Sequence, residues 1–558
     1  MIEKIEIIRG PGSAIYGTYA SLGVIRVTTK GADTLKGGYV ALTDSEMDGA
    51  PSHRNLTVGF GKKISDDVSM SAVATMGMGS RSAADYVDGA GRAEEMANNF
   101  TAEPRSISAK VNAKGLRLNL YFDDFQTYVM DGDVADQLNY PHQENHTTYA
   151  ADTQYDVKLS DSLTLTPRIY YKHQSPFHTN MLDDPNNLFQ NHRSVAKTLA
   201  ALGSVWDPSE SINVVAGVET YRNTLYFNPV WLTTDRDTSV VDGDGIPVTG
   251  AGEGFRTFEG DSFYNQNTAV YAQALVKNDI ANFTVGGRYE TTNRFRGAFV
   301  PRLAVTKAMG DFHTKLMAAQ SFRTPAGIHA DRIPDGVDGI TPEKVMNYEV
   351  ELGYRLTKNM FVQFNVYDLM ISNTIVYGPT LESGGSGVYY NAGKLGSRGV
   401  EAEYRFVGES LSVTANYAYY QATEIEPTTY AVDTDEKSLL AFPRHRFNVM
   451  AGYRLTDHVS VHPSVQFTGK KFGYTAQDGS NATLSELDSA VIANLNVRFR
   501  DLLTPGLDVN LGMRNILDTQ DVIPTPYVTR DGSDTYMVPS IPVASRSVVA
   551  QLSYTQTF

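Results

Sequence analysis

Cysteine is absent from this chain of 558 residues, and tryptophan occurs only twice. Without cysteine there is no disulfide framework, no thiolate metal site and no cysteine nucleophile. No run of about 18 apolar residues occurs, so no helix of this sequence is fit to span a bilayer. Basic charge is scarce: 48 Lys and Arg against 63 Asp and Glu give a net charge of −15. That removes the basic face nucleic-acid phosphates require. No segment recurs at a fixed period, which argues against a propeller. Nor is there a Ser/His/Asp pattern or a zinc-protease helix motif, so an enzyme reading is poor.

What the chain does have is Tyr, Phe and Gly, at 32, 24 and 47 residues, within an apolar fraction of 41%. Its last 15 residues alternate: Val548, Ala550, Leu552 and Tyr554 interleave with Ser547, Val549, Gln551, Ser553 and Thr555, and the chain stops on Phe558. This is a period-two strand that runs to the terminus, as the closing strand of a membrane barrel does. The same alternation fills Val68–Met76 and Leu163–Tyr171.

Turn-forming residues divide the rest. Ten short turns fall at 65–67, 114–115, 160–162, 207–211, 278–279, 309–311, 357–359, 407–410, 456–458 and 501–506. Gly, Asn, Asp and Ser tolerate the backbone angles such turns demand. Between them lie long polar connections at 79–104, 127–146, 174–193, 224–263, 323–344, 377–387, 424–442, 472–486 and 520–543, with shorter ones near 47–52 and 297–298. Short and long connections alternate strictly, which predicts an all-β fold: a 22-stranded antiparallel transmembrane β-barrel over residues 36–558, at about 24 residues per strand with its connection. A soluble all-β protein is the competing reading; it has no reason to place its long loops on one side only.

Residues 1–35 read differently. Ile5–Ile8 predicts a short strand, Gly10-Pro11-Gly12 a turn, Ser13–Tyr19 a helical turn and Gly23–Lys30 a second strand. The glycines are not a phosphate loop, since no Gly-Lys-Ser/Thr follows. Ile2, Glu3, Ile5, Glu6, Ile8, Arg9, Gly10, Pro11, Ser13, Tyr16, Gly17, Ala20, Gly23, Ile25, Thr29 and Lys30 closely resemble the end of the plug domain of TonB-dependent outer-membrane receptors. Leu22 stands where that family usually has glycine. Ser321–Pro325, Asn347–Gly353, Asn391–Glu403, Pro443–Asn448, Arg514–Asp518 and the C-terminal strand are similar to barrel segments of the same family. The resemblance implies residues 1–35 as the C-terminal part of a plug, inside a barrel too wide for side chains to fill. No apolar signal segment follows Met1 and no TonB box stands out, so the expectation is a fragment of a longer precursor or a late start.

By resemblance the function is uptake of a scarce metal chelate across the bacterial outer membrane, a ferric siderophore first, haem and cobalamin behind it. The implied partners are outer-membrane lipid and lipopolysaccharide, a TonB-type energising complex and the chelate, with no nucleic acid; a monomer is expected. The alternative is a passive, porin-like channel or surface receptor. No resident cofactor and no bond-making chemistry is implied. Glu3, Glu6 and Arg9 are expected to pair with charges of the barrel wall. Loop 224–263 holds Tyr226, Phe227, Trp231, Phe255 and Phe258, aromatic surface suited to a ring-rich ligand or to packing of the loop on itself. Arg323, and His329 a few residues beyond it, complete the ligand-contact candidates. In haem receptors of this family a His downstream of a similar motif ligates iron, but their second motif is missing here. Asp242 and Asp244 are weak Ca²⁺ candidates, since the EF-hand spacing is incomplete. The acidic outer loops favour a neutral or cationic ligand over a strongly anionic one.

Overall fold

In the computed structural model, the described residues are 2–10, 12–18, 20–48, 50–87, 93–129, 142–181, 190–227, 240–241, 247–248, 262–326, 340–379, 387–427, 430–477, 481–524, 528–531, 534–537 and 540–557. From Gly37 onward the alternating segments join, each to the next in sequence, into one closed antiparallel barrel. Its 22 strands run from Gly37–Met47 to Ser547–Thr557. The two terminal strands close it, with Leu42 opposite Leu552 and Tyr39 opposite Thr555. The barrel sheet therefore has no open edge, as a lipid environment requires.

All ten expected short turns are present, on one side of the barrel. At the tightest, Lys114 and Gly115 both have positive φ, 45° and 88°, the conformation of a two-residue hairpin whose twist matches its strands. On the other side several connections exceed expectation, among them 373–393, 469–489 and 515–546. Residues 373–393 and 469–489 contain the hairpins Ile375–Pro379/Gly387–Asn391 and Lys471–Gln477/Asn481–Leu487. The second hairpin fills the expected loop 472–486 almost to the residue, whereas the first extends beyond 377–387 at both ends, because alternation marks a hairpin above the membrane as readily as a wall strand.

The barrel has little conventional core. On strands Ile212–Phe227, Ser262–Lys277 and Asn282–Thr292, Val218, Val270, Val285 and Tyr289 are half or more exposed, and Leu303, Leu316, Val350 and Phe364 continue the belt around the wall. A contiguous apolar surface of this extent is foreign to a soluble monomer; it is the lipid-facing band of a membrane barrel. The soluble alternative is therefore set aside. No helix among the described residues is long and apolar enough to cross a membrane.

Residues 2–36 form a two-stranded sheet, Ile2–Arg9 with Gly23–Thr29, and two short helices, Ser13–Tyr16 and Ala32–Leu35. The second helix was not anticipated from sequence. Its Leu35 is buried against Gly61 of strand Ala50–Lys63, where a side chain in place of the glycine hydrogen would strike Leu35.

Candidate functional site

The site is the seam between residues 2–36 and the inner wall. Alternation decides which wall residues reach it: between outward-facing Val218, Val270 and Tyr289, the chain turns Glu219, Tyr221, Asn267, Arg288 and Glu290 inward. Arg288 and Glu290 are fully buried. Arg288 Nε donates to Glu290 Oε2 (2.8 Å), and its guanidinium also bonds Glu219. Tyr221 OH and Asn267 Nδ2 donate to Glu290 Oε1 at 2.7 and 2.6 Å. Lys197 lies 4.3 Å over the Tyr221 ring, in the field of both carboxylates. Two buried anions are thus balanced by two cations, the condition on which buried charge is tolerated. Arg288 Nη1 and Asn267 Oδ1 remain buried without hydrogen-bond partners among the described residues.

The N-terminal segment meets this cluster through backbone. Gly17 has φ +84°, and a Cβ there would stand 3.4 Å from the Arg288 guanidinium. Buried Thr18 places its hydroxyl 3.5 Å from Tyr221 OH. A second contact lies at Gly10, with φ +75°, where a Cβ would fall 2.7 Å from Glu349 Oε1. Glu349 is itself held by Asn347 Nδ2 (2.7 Å) and Lys315 Nζ (3.3 Å). Ser321 Oγ donates to Ser21 O (2.8 Å) and Lys110 Nζ to Thr29 O (2.6 Å). Ser321 and Lys110 sit on strands nine positions apart around a ring of 22, so residues 2–36 reach across the lumen.

On the sheet itself Ile5 pairs with Val27 and Ile7 with Ile25. These four side chains form one apolar face, 52–69% exposed. No described residue covers it.

The sequence-selected residues separate. Glu6 pairs inside the segment, with Lys4 (2.7 Å) and Arg26 (3.9 Å), rather than with the wall. Its register opposite Arg26 dictates this, and the Lys4 hydrogen bond holds its carboxyl below the usual range. Glu3 acts electrostatically on Lys110 of the wall. Tyr226 shares the outward face of Val218 and lies at the rim, so it belongs to the aromatic girdle and not to the lumen. Arg323 faces the lumen at the outer end, where its Nε donates to Glu343 (2.5 Å), which also accepts Ile375 N–H (2.6 Å). Trp231, Phe255, Phe258, His329, Asp242 and Asp244 lie outside the described residues, as do the side chains of Arg9 and Phe227. Among the described residues no group of three His, Asp or Glu is gathered as a metal would need. Of the acidic outer-loop residues, Asp435 accepts from Ser438 Oγ (2.7 Å). That bond, helped by Lys437 N–H and Arg444, holds the carboxyl below the ordinary range.

Glu219, Arg288 and Glu290 were missed by the sequence reading. Their signal was present: charged residues at one parity within strands whose other parity is apolar.

The geometry can be set beside known proteins. The family described as TonB dependent receptor-like, beta-barrel matches residues 85–516. The ferrichrome outer membrane transporter/phage receptor of Escherichia coli is 26% identical over 282 residues, a match covering 46% of this chain and 35% of that protein. The chain therefore spans about a third of the length of this curated relative. Among solved structures, a mutant ferric enterobactin receptor of Pseudomonas aeruginosa superimposes with a TM-score of 0.75 at 16% identity, over 99% of this chain and 85% of that one. The FrpB iron transporter of Neisseria meningitidis does so with a TM-score of 0.73 at 14% identity, over 99% and 87%. At such identities these two show a common fold.

Proposed function

The chain belongs to the family of TonB dependent receptor-like β-barrels and resides in the bacterial outer membrane, and on that footing we propose that it takes up a ferric siderophore in a TonB-dependent step. The observation that carries this reading is the segment held across the lumen by polar contacts on nearly opposite walls. A barrel of this width conducts freely unless something occupies it. In the proposal, residues 2–36 are the C-terminal part of the occupying plug, and the apolar face of Ile5, Ile7, Ile25 and Val27 is where the remainder of that domain packs.

The seam suits a gate because it is polar. Hydrogen bonds and ion pairs can exchange with water as a plug shifts, whereas an interdigitated apolar core resists such movement. The relatives named for ferrichrome and ferric enterobactin support the siderophore class over haem and cobalamin. No catalysis is part of the proposal: the work is binding and translocation. A TonB-type complex supplies the force, and one chain, which closes its own barrel, is the working unit.

Equilibrium binding tests the ligand class. Detergent-solubilised protein is titrated with iron-labelled neutral and anionic siderophores, haem and cobalamin. Saturable retention of a ferric siderophore is expected. Retention of haem or cobalamin alone overturns the siderophore assignment, and a large steady conductance of the intact protein in planar bilayers favours the passive channel.

A further inference from the structure

The wall is not paired equally all round. Strands Ala490–Phe499 and Leu507–Arg514 face one another over only five residue pairs, Leu495–Phe499 with Val509–Met513. Strands Ile212–Phe227 and Ser262–Lys277 do so over fifteen, and Leu163–Met181 stays paired with Gln190–Ser209 out to Asn180 and Gln190. Backbone ladders are what hold a membrane barrel together, so the first sector is held by far less of its own backbone. The ladder ends where Asn515 takes φ +46°, a left-handed conformation that Asn tolerates. Side chains take over above it. Asn515 N–H donates to Asn494 Oδ1 (3.0 Å), and Thr519 Oγ1 to Val491 O (2.5 Å).

Further ties come from the outer connections. Lys471 in connection 469–489 and Asp521 in 515–546 have side chains 6% and 12% exposed, and they meet at 2.8 Å. Lys471 Nζ also donates to Val522 O (2.5 Å). This pair joins the chain leaving strand Val459–Thr468 to the chain leaving Leu507–Arg514, with Ala490–Phe499 between them in the ring. A second tie crosses the closing seam. Ser82 Oγ donates to Val543 O (2.9 Å) and lies 3.1 Å from Ser545 Oγ, which accepts Ala83 N–H (3.1 Å). Ile541 packs there against buried Tyr86, Met96 and Phe100. Strands Gly37–Met47 and Ala50–Lys63 stand between the two ends of this tie. A third tie runs from Ala441 N–H to Phe472 O (2.9 Å), next to fully buried Leu440.

The first two ties skip one and two wall strands, which a ladder cannot do. The central one is a buried ion pair, and separating such a pair leaves an uncompensated charge on each side. The outer connections thus resist splaying in the sector where the backbone resists it least.

We propose that the connections joined at Ala441, Lys471 and Ser82 form one brace, which holds the short-paired sector closed and stays assembled while a ligand crosses the lumen. Its role during passage rests on the uptake proposed above; its bracing of the wall does not.

Hydrogen exchange of the full-length chain in detergent tests the bracing. In Lys471→Met, amides of Ala490–Phe499 and Leu507–Arg514 should exchange about tenfold faster or more, while those of Ile212–Phe227 keep their rate. Ser82→Ala with Ser545→Ala, a milder break, should quicken Gly37–Met47 and Ser547–Thr557 in the same selective way, and it alone decides if Lys471→Met does not fold. The brace is overturned if the folded variants exchange as the unmodified protein does, or quicken evenly round the barrel. A lock tests the passage role. Ser82→Cys with Ser545→Cys places two thiols in a chain that has no cysteine, where the native hydroxyls already face one another. In cells offered iron-labelled ferrichrome or ferric enterobactin, the oxidised and reduced forms should accumulate iron equally. Loss on oxidation that reduction restores would show that the brace must open, and overturns that role. If the unmodified protein accumulates neither chelate, the uptake reading fails, and the exchange result still decides the bracing.

Discussion

Arg288 and Arg222 stand on nearby strands of one sheet and face opposite ways. Inward, Arg288 is fully buried between Glu219 and Glu290, and Tyr221 and Asn267 complete the carboxylate of Glu290. Outward, Arg222 lies over the ring of Tyr264 with no ion pair to a carboxylate among the described residues. Burial explains the difference. A buried charge must find its counter-charge inside the protein, whereas an exposed charge at the outer rim stays hydrated and needs none. A single step of strand register would exchange the two faces, so the contrast records how firmly the register is set.

The contrast breaks most severely at Arg288. Arg288→Met leaves two buried carboxylates facing Lys197 alone, with an expected loss of about 3–5 kcal/mol. Arg222→Met, on the other face, should change stability by no more than about 0.5 kcal/mol. Thermal unfolding of the two variants in the same detergent checks both; equal effects would contradict the assignment of faces. Tyr221→Phe removes one donor from Glu290 and the hydroxyl beside Thr18, and should cost about 1.5–3 kcal/mol in the same assay.

Gly10→Ala acts on the seam alone. With φ +75° and Glu349 Oε1 2.7 Å from the new Cβ, it should weaken seating of residues 2–36 by about 1–2 kcal/mol. The readout is faster proteolysis of that segment while the barrel stays intact. The smallest effect lies in the outer loop at Asp435. Its carboxyl is held low in the folded protein, so the stability it adds is present above the ordinary Asp value of about 3.9. That contribution is lost as pH falls through the depressed value. Hydrogen exchange around Ser438 and Arg444 should therefore quicken only in acid, by under about 1 kcal/mol. Quickening near neutral pH would contradict the assignment.

Much of this architecture was legible in the sequence, for a physical reason. Period-two alternation and hairpin turns are local properties, so strand number, all ten short turns and the sidedness of the loops could be read from residues such as Lys114-Gly115 and Leu163–Tyr171. The ends of the hairpin at Ile375–Asn391 were not separated from the wall strands beside it, because alternation does not encode depth in the membrane. The site was less legible. Tyr226 was selected for its aromatic ring, yet its parity with Val218 turns it outward. Glu6 was selected as a charge near the wall, yet its register opposite Arg26 gives it a partner at home. Glu219, Arg288 and Glu290 come together from two strands separated by 69 residues in sequence, and only the closed barrel shows the balance of charge among them.

The absence of cysteine offers a clean check on the faces. Val218→Cys and Glu219→Cys are neighbours of opposite parity in a chain with no other thiol. A water-soluble thiol reagent should leave the first unmodified in membranes and reach the second faster once residues 2–36 are displaced by Gly10→Ala. Labelling of Val218→Cys from water would contradict a lipid-facing position.

Energised uptake requires that accumulation depend on the TonB complex. Accumulation of iron-labelled siderophore is followed in cells that lack their own siderophore receptors and carry this barrel at the surface, with the TonB complex either intact or deleted. Accumulation only with the complex intact is the predicted result. Equal accumulation in both strains would contradict it and would leave a passive pore.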